Sequence, residues 1–368
     1  DALPIYHPVN DTNFGGNMKA YGFTVRALRR SRLALALAGL MLVAWPSWAQ
    51  KVGTTSMQFL KVMPVARATA LGDAFVALAE GVESVFWNPS GLALAEGFQI
   101  TGTHIPYLID TRISSAAIAF PLGDLNRIGI QVQYVDYGEI VETRTDLLGF
   151  NPDGTYNPGL TGNTFSPQAW AVGLSYGRSL NDQFRIGITA KYVHESLYDG
   201  PTTFTDPETG GAYATSTSVV LFDFGLQYDT GYRTLRLGAA VQNFGPEVVF
   251  VEEHFAAPMI FRLGAAWDLV GPSALLFNTS GQRFTMVFDM VHPNDYDQQA
   301  HVGVEYVFAD VLALRAGRKI NYDTEKWTLG GGLHIGLGAA DLSFDYSYND
   351  MGEDLGAAHR ITLSARLK

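Results

Sequence analysis

The last third of the chain alternates apolar and polar side chains at period two, segment after segment, with charges on the polar side. Leu342, Phe344, Tyr346 and Tyr348 interleave with Asp341, Ser343, Asp345 and Ser347. Ile361, Leu363, Ala365 and Leu367 interleave with Arg360, Thr362, Ser364 and Arg366. A β-strand sends successive side chains to opposite faces, so each run has one greasy face and one wet, charged face. Repeated behind an export signal, the pattern predicts an all-β chain, a transmembrane antiparallel β-barrel with lipid outside and water or a plug inside. The rival, a soluble propeller or sandwich, explains alternation equally well.

The export signal is at the N-terminus. Met18 has the features of a natural start, followed by Lys19, Arg26, Arg29, Arg30 and Arg32 and an apolar run over 33–44. That run is too short to span a bilayer comfortably, and Ser47-Trp48-Ala49 is a small-x-small cleavage site. The expected organisation is therefore an upstream segment 1–17, a signal peptide 18–49, a hatch 50–97 and a barrel 98–368. Residues 66–79 are rich in Ala and Leu, with Leu71, Phe75 and Leu78 near helical spacing; Trp87-Asn88-Pro89-Ser90-Gly91 then breaks the pattern with turn chemistry. The segment before residue 98 thus reads as small and partly helical.

From there on, about fourteen strand-like runs are expected. They start near Phe98, Arg112, Asn126, Gln168, Gln183, Thr217, Arg233, Pro258, Gln282, Gln298, Val311, Lys326, Ala339 and Ala358. Connections at 122–125, 181–182, 229–232, 309–310 and 336–338 are tight, whereas 139–166, 197–216, 245–257 and 351–357 are long. Short turns on one rim and long loops on the other are the habit of outer-membrane barrels, and a soluble sheet protein explains that sorting less easily. Residues 270–281 depart from the rule, a long connection in a short-turn slot. In the fifth run Phe184, Ile186, Ile188 and Tyr192 share one face, opposite Arg185, Thr189 and Lys191. A basic side chain facing mid-membrane lipid costs about 2–4 kcal/mol, so the register is firm.

Charge and residue usage exclude several functions. The formal net charge of −11 disfavours nucleic acid, whose phosphates need clustered Lys and Arg. There is no cysteine, hence no disulfide or thiolate chemistry. No nucleophile elbow, zinc-protease helix or phosphate loop is present, so no enzyme activity and no cofactor is expected. Gly330-Gly331-Gly332 lies inside a strand run and reads as a close-contact site. His292 with Asp295 and Asp297, or the loop 151–159, has oxygen and imidazole ligands for a cation, but solvated loop carboxylates are the commoner case and no metal is expected.

The segment Ala66-Arg67-Ala68-Thr69-Ala70-Leu71-Gly72-Asp73-Ala74-Phe75-Val76-Ala77-Leu78-Ala79, with Val85-Phe86-Trp87-Asn88-Pro89-Ser90-Gly91-Leu92, resembles the N-terminal hatch of the PorV/PorQ family, outer-membrane proteins related to the FadL long-chain fatty-acid transporters. The likeness resumes at Val135-Asp136-Tyr137-Gly138-Glu139-Ile140 and in the last hairpin, Asp345-Tyr346-Ser347-Tyr348-Asn349-Asp350 to His359-Arg360-Ile361-Thr362-Leu363-Ser364. Asp73 stands where the family often has a second Gly, Ser90 replaces a common Ala, and the chain ends Leu367-Lys368 without a terminal aromatic. The resemblance implies a fourteen-stranded barrel in a Gram-negative outer membrane whose lumen is closed by the hatch. It further implies a shuttle or attachment role in type IX secretion, with a SprA-type translocon and cargo C-terminal domains as partners. The FadL branch implies instead a transporter of fatty acids or other hydrophobic molecules, with a bound lipid or fatty acid.

The hatch residues expected to matter are Arg67, Gly72, Asp73, Phe75, Trp87, Asn88, Pro89 and Gly91. Arg67, Asp73, Glu80 and Glu83 are expected to pair with lumen charges; those proposed for the wall are Arg185, Lys191, Arg236, Glu305, Arg315 and Arg360. Tyr156, Phe165, Tyr198, Phe204 and Tyr213 on the long loops are the expected partner contacts, because aromatics anchor interfaces. Their alternative role is loop self-packing.

Overall fold

The computed structural model describes residues 53–205, 210–250, 253–352 and 355–367. The signal peptide, its cleavage site and the upstream segment lie outside the described residues. Fourteen long strands form the wall: β1 Phe98–Pro106, β2 Arg112–Pro121, β3 Asn126–Asp136, β4 Gln168–Ser179, β5 Phe184–Ser196, β6 Ser216–Asp229, β7 Arg236–Phe244, β8 Ile260–Gly271, β9 Gln282–Pro293, β10 Gln299–Phe308, β11 Leu312–Ile320, β12 Trp327–Leu337, β13 Ala340–Asp350 and β14 Ala357–Leu367. Each pairs antiparallel with its neighbour in sequence, and β1 pairs with β14 from Phe98↔Leu367 to His104↔Ile361, which closes the barrel and leaves no wall edge unpaired. No helix of the described residues is long and apolar enough to cross a membrane; the strands do so.

Period-two patterning sorts the side chains. On β5, Ile186, Ile188 and Tyr192 are exposed on the outer surface, while Arg185, Thr189 and Lys191 are buried inside. Outward aromatics gather near the two rims. Trp170, Tyr192, His194, Tyr346, Tyr348 and His359 group near one; Phe184 and Tyr228, with Tyr232 and Trp267, group near the other. These are the girdles expected of rings that sit at the membrane interfaces. Arg318 faces outward near the first rim, its guanidinium 4.6 Å from the Trp327 ring, where a long side chain reaches water.

The connection classes also sort by rim. On the long-loop rim residues 137–167 carry a hairpin of Ile140–Phe150 with Tyr156–Phe165, and residues 245–259 carry Val248–Phe250 with Glu253–Phe255. The exceptional connection after β8 sits on the short-turn rim and folds back so that Phe277–Asn278 pairs in parallel with Val270–Gly271.

The chain ahead of β1 crosses the lumen from the long-loop rim to the short-turn rim. At the first rim Thr55 bridges to Ala256, and Met57, Phe59 and Leu60 pack among Ile105, Val135, Val193 and Leu221. At the second, Arg127 Nε donates to Ala95 O and Arg366 pairs with Glu96. The helix is shorter than the Ala-rich stretch 66–79 suggests. It spans Ala66–Ala70 (α1) and stops because Gly72 and Asp73 both take left-handed backbone, with φ of 67° and 64°. The other regular pieces are three 3-10 turns, Gln58–Lys61 ahead of it and Gly81–Phe86 and Pro89–Leu94 after it.

Candidate functional site: the closed lumen and the long-loop cup

The hatch holds its irregular backbone by side chains of its own and of the wall. A buried backbone group must find a partner. Asn88 supplies several: its Nδ2 donates to Val76 O at 2.8 Å and Leu226 O at 3.1 Å, and its Oδ1 accepts from Ser90 N and Ser90 Oγ. Pro89 follows at the first position of the turn Pro89–Leu94, where no amide is needed. Trp87 and Phe75 are fully buried and meet edge-to-face at 5.7 Å. The wall contributes Asp289, whose Oδ2 accepts the amides of Phe75 and Val76 at 2.9 and 3.0 Å. Gln227 donates to Ala79 O and Gln242 to Phe86 O, while Gln99 accepts from Val82 N. None of these four wall residues stands out in a reading by residue type. Their signal is position, on the inward row of a strand.

Glycines let the hatch touch the wall. Gly177 pairs with Gly187 and Gly187 with Gly225 on β4, β5 and β6; Gly238 pairs with Gly264 and Gly303 with Gly317. All face inward. A Cβ at Gly177 would stand 2.8 Å from Ala93 N, and one at Gly238 2.5 Å from Val76 O. At Gly187 it would strike Pro89, at Gly303 Leu71 and at Gly317 the amide of Gly72. Gly330 meets Ala70 in the same way. Gly91 is crowded from within the hatch, by Ala79 O. A belt without side chains thus receives the hatch backbone over most of the circumference.

The inward cations expected on the wall are ion-paired, largely wall to wall. Arg185 pairs with Asp229 at 2.5 Å, Lys191 with Asp223 at 2.8 Å and Arg236 with Asp268 at 3.3 Å, so these cations meet wall acids instead of the hatch acids. Glu305 is the hub between hatch and wall: it takes Arg67 Nε at 3.1 Å and Arg315 Nε at 2.6 Å, and Arg315 also reaches Asp345 at 2.5 Å. Arg67 meets Glu80 within the hatch at 2.9 Å. Asp73 pairs with Lys319 at 2.6 Å, and Lys319 also with Glu325. Arg360 donates to Met63 O and lies 3.6 Å from Glu325. Glu83 has no ion pair among the described residues; it accepts from Ser364 Oγ at 3.2 Å. Of the loop group His292, Asp295 and Asp297, Asp295 is taken up by Lys61 at 2.5 Å and by Thr55.

Beyond the hatch, toward the long-loop rim, the lumen forms a cup with two cavities of about 390 and 330 Å³ that share Gln58, Lys61, Asp73 and Tyr322 as lining. Above the cup two long loops are tied together through Glu142. Its carboxylate accepts from Thr202 Oγ1 at 2.5 Å, from Tyr198 OH and Thr161 Oγ1 at 2.8 Å, and from Asn163 Nδ2 at 3.0 Å. These donors, Thr202 foremost, lower its pKa to about 2. Phe165 stacks on Tyr198 at 4.8 Å and Tyr198 on Phe204 at 5.0 Å, so three of the five loop aromatics pack on one another. Tyr156 is exposed at the hairpin tip beside exposed Phe150, and the Tyr213 amide donates to Phe204 O.

With this geometry in view, comparison with known proteins identifies the family. The model of the family described as type IX secretion system protein PorV matches residues 46–275, more than half of the chain. The chain belongs to the PorV family. It is accordingly an outer-membrane barrel of type IX secretion in a Gram-negative envelope. No curated protein matches. Among solved structures the toluene transporter TodX of P. putida matches with TM-score 0.53 at 12% identity, covering 82% of this chain and 96% of its own. The Ralstonia pickettii toluene transporter TbuX matches with TM-score 0.52 at 13% identity, covering 83% and 99%. The monoaromatic hydrocarbon channel CymD gives 0.51 at 11%, covering 82% and 97%. At such identities the likeness shows the barrel fold alone.

Proposed function

We propose that this PorV-family barrel is a carrier, a shuttle or attachment partner that docks beside a SprA-type translocon and receives cargo C-terminal domains on its long loops. The short-turn rim then faces the periplasm and the long-loop rim the cell exterior. The observation that carries the reading is the hatch seated on the glycine belt. A lumen closed by backbone-to-backbone contact is suited to presenting a surface rather than to conducting a solute. The loops tied by Glu142 supply that surface.

The alternative is a transporter of fatty acids or other hydrophobic molecules. It needs an apolar pocket beside the hatch, with room for a bound lipid. The two cavities are lined by Lys61, Asp73, Asp295, Glu325 and Arg360 as well as tyrosines, a poor match for an acyl chain. Affinity purification from native outer membranes tests the carrier reading: a very large translocon barrel should copurify. Deleting the gene should leave cargo in the periplasm with its C-terminal domain uncleaved, and normal cargo display in the deletion strain counts against the proposal.

A further inference from the structure

Six cations among the described residues are at least nine-tenths buried: Arg185, Lys191, Arg262, Arg315, Lys319 and Arg360. Five of them have a carboxylate within 4.0 Å. Arg262 has none. Its Nε donates to Gln242 Oε1 at 2.9 Å, and its Nη1 is without any partner. The neighbouring acids each give one oxygen to another group, Asp73 Oδ2 to Lys319 at 2.6 Å and Asp289 Oδ2 to the Phe75 and Val76 amides, and neither Oδ1 comes within hydrogen-bond distance of Arg262. Beside it, on the next inward rung two strands away, His301 is 2% exposed; its ring lies against the Asp73 backbone, and neither nitrogen reaches a side-chain partner. Both side chains line the 390 Å³ cavity of the cup.

A buried guanidinium without a counter-ion is costly, and a barrel that pairs every other such cation has the means to pair this one. With Nε engaged, the remaining donors lie at the end of the fork, the edge that takes an oxyanion in bidentate fashion. A neutral imidazole adds one donor. We infer that Arg262 and His301 form a receptor for the oxyanion of a hydrophilic molecule entering from the long-loop rim. Tyr296, Tyr322 and Gln299 around the cavity offer hydrogen bonds to the body of such a molecule, which sets it apart from a fatty acid. The group can be borne by a free solute or by an acidic side chain of a partner polypeptide. The inference stands independently of the carrier reading.

Calorimetric titration of the full-length barrel in detergent tests it, with succinate, inorganic phosphate and a terminally blocked glutamate tripeptide as probes. Saturable binding of at least one probe is expected, weakened tenfold or more by Arg262→Gln and unchanged by Arg178→Gln, an outward cation near the opposite rim. Binding of the small anions assigns a free solute as the source; binding of the tripeptide alone assigns a polypeptide. Thermal melting of the unmutated protein with each probe serves as a second readout that needs no variant to fold, and the bound probe should raise the melting temperature. Failure of all three probes in both measurements overturns the inference, leaving water as the partner of Arg262. Equal binding by Arg262→Gln, or binding of laurate but of none of the hydrophilic probes, overturns it as well.

Discussion

Asp73 shows how a single backbone angle decides chemistry. Its φ of 64° is a conformation in which Gly is at ease and Asp is among the few other residues tolerated, which accounts for the Gly often found there in the family. Asp in that place gives Lys319 a counter-ion beside Glu325. Arg315 is a second decisive residue, with a side chain wholly removed from solvent between Glu305 and Asp345. Arg315→Ala leaves Asp345 uncompensated and should cost about 3–5 kcal/mol, read from denaturant unfolding in lipid. A loss below about 1 kcal/mol would mean that the network is slack. Glu142 is the third. Its folded pKa of about 2 lies below the ordinary 4.5, so its stabilising effect is complete above 4.5 and is lost progressively as pH falls from there through 2. Hydrogen exchange should therefore find the loops around Tyr198 and Thr161 as protected at about pH 5 as at neutrality and progressively less protected below that, and Glu142→Gln should lose that protection throughout. Unprotected loops in the parent protein near pH 4 contradict the assignment.

At the scale of elements, the hatch and the wall are complementary in a way that neither shows alone. The hatch has little regular structure, with α1 spanning Ala66–Ala70, and gains its order from the lumen. Substituting a belt glycine tests this. Gly187→Val pushes a side chain into Pro89, and overpacking of this kind costs about 1–3 kcal/mol. The variant should conduct ions in planar bilayers and expose residues 66–97 to protease. Gly331→Ala is the control, because it points outward and its Cβ meets Ala313 O at an ordinary 3.5 Å. Equal conductance in both variants would remove the belt from the account. The hairpin of Ile140–Phe150 and Tyr156–Phe165 is the opposite case. Past Glu142 its residues are largely exposed on both faces, and a lone two-stranded hairpin is marginal in water. Its anchorage at Glu142 and the Phe165–Tyr198 contact is what fixes its direction.

For the whole molecule the question is whether the hatch moves during function. The chain contains no cysteine, so an introduced pair is the sole thiol pair present. Thr69 Oγ1 and Ser347 Oγ lie 2.8 Å apart across the hatch–wall boundary. Thr69→Cys with Ser347→Cys should form a disulfide on oxidation. A carrier with a fixed hatch should display cargo equally well oxidised and reduced. Loss of display on oxidation, restored by reductant, would favour the transporter reading, which requires an opening past the hatch.

The wall was legible in the chain because a strand repeats every two residues and needs no distant information to declare its faces. The expected starts at Phe98, Arg112, Asn126, Gln168 and Gln282 coincide with the observed strands, and the long connection after β8 is exceptional in the structure as in the sequence. The 66–79 stretch is less helical than its Ala and Leu content suggests, since the left-handed turn at Gly72 and Asp73 is stabilised by contacts with Arg318 and Lys319, far away in sequence. Ion-pair choice was out of reach for the same reason: Arg67 and Glu305 are 238 positions apart, and curvature of the closed sheet brings them together. Alternation determined, from sequence alone, which side chains face lipid and which face the lumen. Only the closed barrel decided which lumen charges meet, where the hatch touches glycine, and that Arg262 is left without a counter-ion, because those follow from distances across the lumen that local periodicity does not encode.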